Sequence, residues 1–299
     1  MSLTILDAGL WTQLVDFGRP GSRSLGVPVG GAADRVALAL GNGLVGNPAD
    51  AVALEIALAG PTLRANVQLA GVVFGAPFSL SRSGSGSISA GMTFTLEPGE
   101  VLRIGGTPLG VRGYLCVTGG FDGPQILGSR SGLEPLVSGV ELNCRPSQLP
   151  GRSLPFDLIE TSDPALLRVV DGTQRDWFPD DAFFAQTFTV APTSNRMGIR
   201  LTGIPLSKKP GEMVSEPVAP GAVQVANDGL PIVLGVDGQT IGGYPKVAHV
   251  IRADLDILGR LRPGARVRFQ SVTTAEAEAA ARERSAWLAE WRTRLAVSL

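Results

Sequence analysis

The chain has 299 residues, of which 26 are basic and 27 acidic, with one His, two Cys, 39 Gly and 22 Pro. At 44% hydrophobic residues it can bury one large core or two smaller ones, and a net charge of -1 gives no electrostatic reason to bind nucleic acid. A single histidine, His249, and two cysteines far apart, Cys116 and Cys144, supply neither a zinc-ligand spacing nor a Ser-His-Asp triad. Any chemistry must therefore use carboxylates, amides, hydroxyls, Arg, Lys and backbone N–H groups, with no metal.

The start, Met1-Ser2-Leu3-Thr4, lacks the basic stretch and apolar run of a signal peptide. The longest apolar stretch, around Ala51 to Ala59, is interrupted by Glu55 and is too short to span a bilayer. These features predict a soluble, cytoplasmic protein with reduced, buried cysteines and no membrane partner. The run Gly18 to Pro28 is glycine-rich and carries Arg19 and Arg23, but it has no Gly-x-Gly-x-x-Gly arrangement, and no lysine stands in a Walker A frame. Asp34 is placed to N-cap a helix reaching Val45. Val52, Leu54, Ile56 and Leu58 then alternate with Ala53, Glu55 and Ala57, which predicts a strand with one buried face. Glu55, on the other face, either borders a cleft or pairs a surface arginine.

Further short strands are predicted at Leu63 to Ala70, Thr93 to Leu96, Val101 to Ile104, Arg112 to Val117, Leu166 to Val170 and Thr187 to Val190, then at Ala222 to Val225, Pro231 to Val236, Val247 to Ile251 and Arg266 to Val272. So many short strands between Gly and Pro turns indicate a mainly β protein built as a barrel or sandwich. Helices are few. Ala253 to Leu258 is a short one, and the tail from Thr274 is Ala-, Glu- and Arg-rich, with a Thr273/Glu276 capping box and a stripe of Trp287, Trp291 and Leu295 at helical spacing. Pro, Gly, Ser and Asp between Leu149 and Pro164 mark a junction, giving halves at 1–155 and 156–272 and a helix at 273–299.

A weak internal repeat supports two halves. Gly106-Thr107-Pro108-Leu109 precedes Gly119-Gly120 at the spacing by which Gly229-Leu230-Pro231-Ile232 precedes Gly242-Gly243. In that alignment Tyr114, Cys116 and Val117 correspond to Asp237, Gln239 and Thr240. Polar side chains replacing apolar ones near a glycine pair suggest a ligand site, because buried polar groups are costly unless paired. The segment Asp237 to Lys246 is thus the densest candidate. Its Gly242 and Gly243 admit close approach of a ligand to backbone N–H groups, Asp237, Gln239, Thr240 and Tyr244 orient it, and Lys246 meets an anionic oxygen. A second string, Ser194-Asn195-Arg196-Met197-Gly198, offers Asn195 for orientation and Arg196 for a carboxylate or oxyanion. A polar hairpin and an Asx-type turn are the plain structural readings of these two strings.

Taken in order, Gly26-Val27-Pro28, Gly31-Ala32-Ala33-Asp34, Asn42 to Asn47, Leu54-Glu55-Ile56 with Gly60-Pro61, Leu127 to Ser131, Asn195 to Gly198 and Asp237 to Pro245 resemble the allophanate hydrolase subunit 2 family. These are biotin-dependent carboxyltransferase subunits that include the C-type subunit of 5-oxoprolinase and the KipI antagonist. The resemblance implies two cyclophilin-like β-barrel halves and a component of an ATP-dependent 5-oxoprolinase-like complex. Its partners there would be an A-type subunit and a B-type (KipI-like) one, a homodimer of heterodimers being one assembly it admits. Carboxyl transfer from carboxybiotin to a urea-like nitrogen, and a non-catalytic regulator of a KipI-like kinase inhibitor, are the alternatives. Under the enzymatic readings the substrate is a small amide. Asp237, Arg196 and Lys246 would be catalytic, while Asn195, Gln239, Thr240, Gly242, Gly243, Tyr244 and Glu55 would bind substrate. With neither an ATP loop nor a Met-Lys-Met biotin acceptor in the chain, ATP handling and any biotin would belong to partners.

Overall fold

A computed structural model describes residues 1–84, 86–159, 162–211 and 213–297. The chain folds as two compact units, Met1–Gly18 with Asp34–Glu160 and Leu288–Leu299, and Arg19–Ala33 with Thr161–Trp287. The changeover near residue 160 lies within the stretch Leu149 to Pro164, a few residues past the boundary drawn at 155/156. Local composition carries no sign that Arg19–Ala33 folds with the second unit, since that placement rests on contacts distant in sequence. Nor is the C-terminal helix a separate body; its residues are divided between the two units.

The first unit contains β1 (Ser2–Asp7), β2 (Thr12–Val15), α1 (Arg35–Leu44), β3 (Ala53–Ala57), β4 (Thr62–Ala65), β5 (Leu69–Gly75), β6 (Leu80–Arg82), β7 (Gly86–Ile88), β8 (Phe94–Leu96), β9 (Val101–Ile104), β10 (Arg112–Val117) and β11 (Glu141–Asn143). They form one sheet in the order β11-β1-β4-β9-β6-β7 and another in the order β2-β3-β10-β5-β8. Leu3, Ile5, Leu54, Ile56, Leu63, Leu102 and Leu115 share one core. The alternation in β3 predicts one buried face, but Ala53 to Ile56 are all buried, because Leu54 and Ile56 face the core while Glu55 on the other face is covered by Tyr114 and the start of α1. The single segment Leu63 to Ala70 resolves into the end of β4 and the start of β5. Asp34 caps α1 as its position predicts, its Oδ1 accepting from Ala37 N at 2.9 Å.

The second unit contains β12 (Ala165–Asp171), α2 (Ala182–Ala185), β13 (Phe188–Val190), β14 (Gly198–Thr202), β15 (Glu216–Pro217), β16 (Ala222–Val225), β17 (Pro231–Leu234), β18 (Ile241–Gly242), β19 (Lys246–Val250), α3 (Leu255–Leu258), β20 (Arg266–Ser271) and most of α4 (Thr274–Val297). A closed barrel runs β12-β19-β16-β17-β14-β13-β20, so these strands leave no open edge. Leu167, Val169, Phe188, Val223, Val233, Val267 and Phe269 fill it. The protein is mainly β with few helices and a C-terminal helix. Of the two halves expected as barrels, the second closes and the first is a pair of sheets.

The capping box of α4 forms, with Thr273 N donating to Glu276 Oε2 at 2.8 Å and Glu276 N to Thr273 Oγ1 at 3.2 Å. Of its stripe, Leu295 is buried, whereas Trp287 and Trp291 are only partly covered. Arg284 lies 4.4 Å from the Trp287 ring centroid and Arg294 5.1 Å from that of Trp291. Among the described residues no helix is long and apolar enough to cross a membrane. The internal repeat does not align equivalent positions: Tyr114 lies in β10, while Asp237 lies in the turn after β17. Gly and Pro spacing reports turn chemistry, which recurs whatever strands it connects.

Candidate functional site

The string around Arg196 is a tight turn leading into β14. Asn195 Oδ1 accepts from Met197 N at 2.9 Å and Gly198 N at 3.3 Å, and Asn195 N donates to Gly198 O at 3.1 Å. The Asx-type reading therefore describes Asn195, whose amide oxygen is spent holding the turn. A second turn, after β17, docks on the first: Gly235 N donates to Met197 O at 2.9 Å and Asp237 N to Arg196 O at 3.1 Å. Only glycine fits at position 235, since a Cβ there would lie 2.2 Å from Arg196 O.

These paired turns present Arg196 and Asp237 to each other in a fork. Arg196 Nε donates to Asp237 Oδ2 at 2.6 Å and Nη2 to Asp237 Oδ1 at 3.0 Å. Nη2 also donates to Gly31 O at 2.7 Å, and Gly30 N donates to Val236 O at 2.9 Å. The segment 19–33 thus closes against both turns. Arg196 is 7% exposed and Asp237 32%, so the guanidinium is locked while the carboxylate keeps a solvent-facing side. A carboxylate has roughly four lone-pair sites, so Asp237 can hold Arg196 and still accept an N–H from a ligand.

The other end of the polar string is built around Lys246 at the start of β19. Its ammonium pairs with Glu216 Oε1, the lysine side chain being 3% exposed and the glutamate 34%. Glu216 also accepts from Gln174 Nε2 at 2.9 Å and Thr173 Oγ1 at 3.3 Å, and Lys246 N donates to Gln174 Oε1 at 3.0 Å. Burial lowers the ammonium's pKa. In this arrangement the group that meets solvent is Glu216, and Lys246 organises it from below. His249, three residues on, has its pKa lowered by burial and then by the Lys246 charge.

Between the two ends, Gln239 Nε2 donates to Gln224 Oε1 and Gln224 Nε2 to Tyr244 O, each at 3.5 Å. Thr240 contributes its carbonyl, which accepts from Val218 N at 3.0 Å. Gly242 pairs with Glu216 across β15 and β18, and a Cβ on it would stand 2.5 Å from Gln224 Nε2. A side chain at position 242 would therefore displace the Gln224 amide. Gly243 and Tyr244 are exposed.

Glu55 is a different case. It belongs to the first unit and is fully buried, which overturns the cleft reading; it does pair an arginine, as the other reading had it, but in the interior and not at the surface. Tyr114 Oη donates to Glu55 Oε2 at 2.9 Å, Arg112 Nε stands 3.3 Å from Oε1, and Asp34 N donates to Tyr114 Oη at 2.8 Å. Burial, then the Glu55 and Asp34 charges, push the Tyr114 pKa well up, so it remains a neutral donor. Glu55 anchors the start of α1 and is too enclosed to touch a ligand. Cys116 is core, with burial raising its thiol pKa.

The structure thus brings together Asn195, Arg196 and Asp237, and joins Gln239, Thr240, Gly242, Tyr244 and Lys246 along one string. Sequence reading missed Glu216, Gln174 and Gln224. Gln224 left a trace, an amide in the otherwise apolar Ala222 to Val225. Glu216 and Gln174 left none, because only the fold brings them to Lys246.

Residues 25–271 match the family model described as carboxyltransferase domain, subdomain A and B. The chain belongs to this family. This carboxyltransferase-domain chain is 33% identical to the C-type subunit of 5-oxoprolinase from Haemophilus influenzae over 310 residues, with 97% of each covered. It is 33% identical to the corresponding 5-oxoprolinase subunit from Escherichia coli, with 97% of this chain and 98% of that one covered. Its fold matches the crystal structure of the Kluyveromyces lactis urea carboxylase with a TM-score of 0.88 at 27% identity, over 97% of this chain and 29% of that one. The family resemblance read from the dispersed strings is therefore the relationship found. Both candidate turns, Asn195 to Gly198 and Asp237 to Lys246, lie within the matched residues of the carboxyltransferase domain.

Proposed function

We propose that the chain is the C-type subunit of a 5-oxoprolinase complex, which opens 5-oxoproline to L-glutamate coupled to ATP hydrolysis together with an A-type subunit and a B-type (KipI-like) partner. The observation that carries this reading is the end-to-end match to two proteins of that name, covering 97% of this chain in each. The Arg196–Asp237 fork supports it chemically. A lactam presents an N–H beside a carbonyl, and Asp237 accepts the first while Arg196 supplies positive charge toward the second as it gains oxyanion character. With both its oxygens engaged by Arg196, Asp237 serves as an orienting acceptor. Glu216, held by Lys246, is the second carboxylate facing solvent from this string.

The two cations of this site are not placed to hold a triphosphate. Arg196 and Lys246 each already hold a carboxylate, so nucleotide handling is assigned to the partners, as is any biotin. The complex is read as cytoplasmic, its assembly as a homodimer of heterodimers. The likeness to urea carboxylase favours one second reading, carboxyl transfer to a urea-like nitrogen. Co-reconstitution of the chain with its A- and B-type partners distinguishes them: glutamate release from 5-oxoproline with matching ATP cleavage supports the proposal. Urea-dependent consumption of carboxybiotin, without glutamate, supports the second reading and overturns the first.

A further inference from the structure

Glu216 carries a carboxylate with one oxygen in use and one to spare. Its Oε1 accepts all three donors that reach it, the Lys246 ammonium, Gln174 Nε2 at 2.9 Å and Thr173 Oγ1 at 3.3 Å. Among the described residues none donates to Oε2, and the side chain is 34% exposed. Asp237 differs, since Arg196 takes both of its oxygens. The three donors fix the Glu216 carboxylate from two other elements, Thr173 and Gln174 following β12 and Lys246 opening β19. β15 pairs with β18 so that Glu216 stands opposite Gly242, and Val218 N donates to Thr240 O at 3.0 Å. The free oxygen is thus borne beside the same polar string that begins at Asp237. Its neighbours Ser215, Pro217, Ile241 and Gly243 are exposed, which leaves it open to a small molecule. An ionised carboxylate only accepts hydrogen bonds, and Lys246 already balances its charge, so the ligand that suits Oε2 is a neutral donor.

We infer, resting on the function proposed above, that Glu216 is a catalytic residue whose free oxygen takes a proton from the water that opens the lactam, and that Lys246 is a positioning residue behind it. Oε2 removes one proton of the water, and the electron pair of that O–H bond forms the bond from the water oxygen to the lactam carbonyl carbon. The carbonyl pair moves onto its oxygen, toward the charge of Arg196. When that pair returns the C–N bond breaks, and Oε2 gives the proton to the departing nitrogen, which restores the ionised carboxylate. ATP cleavage, assigned to the partners, is no part of this step.

Turnover of the reconstituted complex and carbodiimide labelling of its carboxylates, read by peptide mass mapping, test this together. Glu216→Gln should lower kcat by about 100- to 10,000-fold, the usual worth of a general base, with KM little changed. Formate should restore part of the rate to Glu216→Ala. Lys246→Met removes the cation beside the base, so the acid limb of the pH–rate profile should move to higher pH. In the wild-type complex, which covers the case of variants that fail to fold, carbodiimide should label Glu216 ahead of Asp237, and 5-oxoproline should protect it. Wild-type kcat in folded Glu216→Gln, or labelling of Glu216 that saturating 5-oxoproline leaves unchanged, would overturn the assignment. A wild-type complex that forms no glutamate, yet shows this protection, removes the proposed function and leaves Glu216 in contact with the ligand. Equal glutamate formation by the wild type and Glu216→Gln does the reverse.

Discussion

Two carboxylates show how the same side-chain chemistry is put to opposite uses. Asp237 meets its arginine at the surface and keeps an open side, while Glu55 meets Tyr114 and Arg112 in a fully buried position. The first arrangement suits binding, the second stability. Asp237→Asn preserves shape but removes the charge that fixes Arg196, and turnover of the reconstituted complex should fall about 100-fold, with the circular dichroism spectrum unchanged. Glu55→Gln should act the other way. It leaves Arg112 without its buried counter-charge and should cost about 3 kcal/mol in denaturant unfolding. Tyr114→Phe removes one donor and one acceptor from the same network and should cost about 1–3 kcal/mol.

Among elements, the loops at the two ends of short strands do most of the positioning. Asp16 follows β2, and its carboxylate accepts from Ser129 Oγ, Ser131 Oγ and Arg130 N at 2.6 Å each and from Gly18 N at 2.7 Å. Burial would raise its pKa, but these bonds outweigh that and the carboxyl sits below its ordinary value. A carboxyl depressed in the folded state stabilises the protein above its unfolded pKa, and the contribution is lost as pH falls through the folded value. Asp16→Asn should therefore reduce stability at neutral pH and flatten its decline below about pH 4, as followed by urea unfolding at a series of pH values. At the start of α1, Asp34→Ala should cost about 1 kcal/mol through the lost cap.

Element existence was largely legible for the same reason that these caps were: β9, β10 and β16 coincide with their apolar runs, and Asp34 and the Thr273/Glu276 box mark real helix starts. Short strands without strong alternation, such as β6, β7 and β15, left no such pattern. Arg196 and Asp237 were legible because consecutive polar residues beside glycine stand out locally. Their mutual fork, the Glu216 beside Lys246, and the return of Gly30 and Gly31 to the Arg196 turn were not, because each joins residues far apart in sequence.

Across the whole molecule, a closed barrel carries the candidate site while a pair of sheets forms the other unit. The glycines and prolines abundant in the composition serve mainly as turns, and Gly235 is fixed by the backbone that lies against it. One histidine and two cysteines then matter little, because a fork of arginine and aspartate and a lysine-held glutamate supply the polar groups. Glutamate release from 5-oxoproline and ATP by the reconstituted complex, measured with the wild-type and the Asp237→Asn chain, tests the role of this fork most directly. Steady glutamate formation by the first and about a 100-fold loss in the second are the expected results; equal rates, or no glutamate from the wild type, would contradict them.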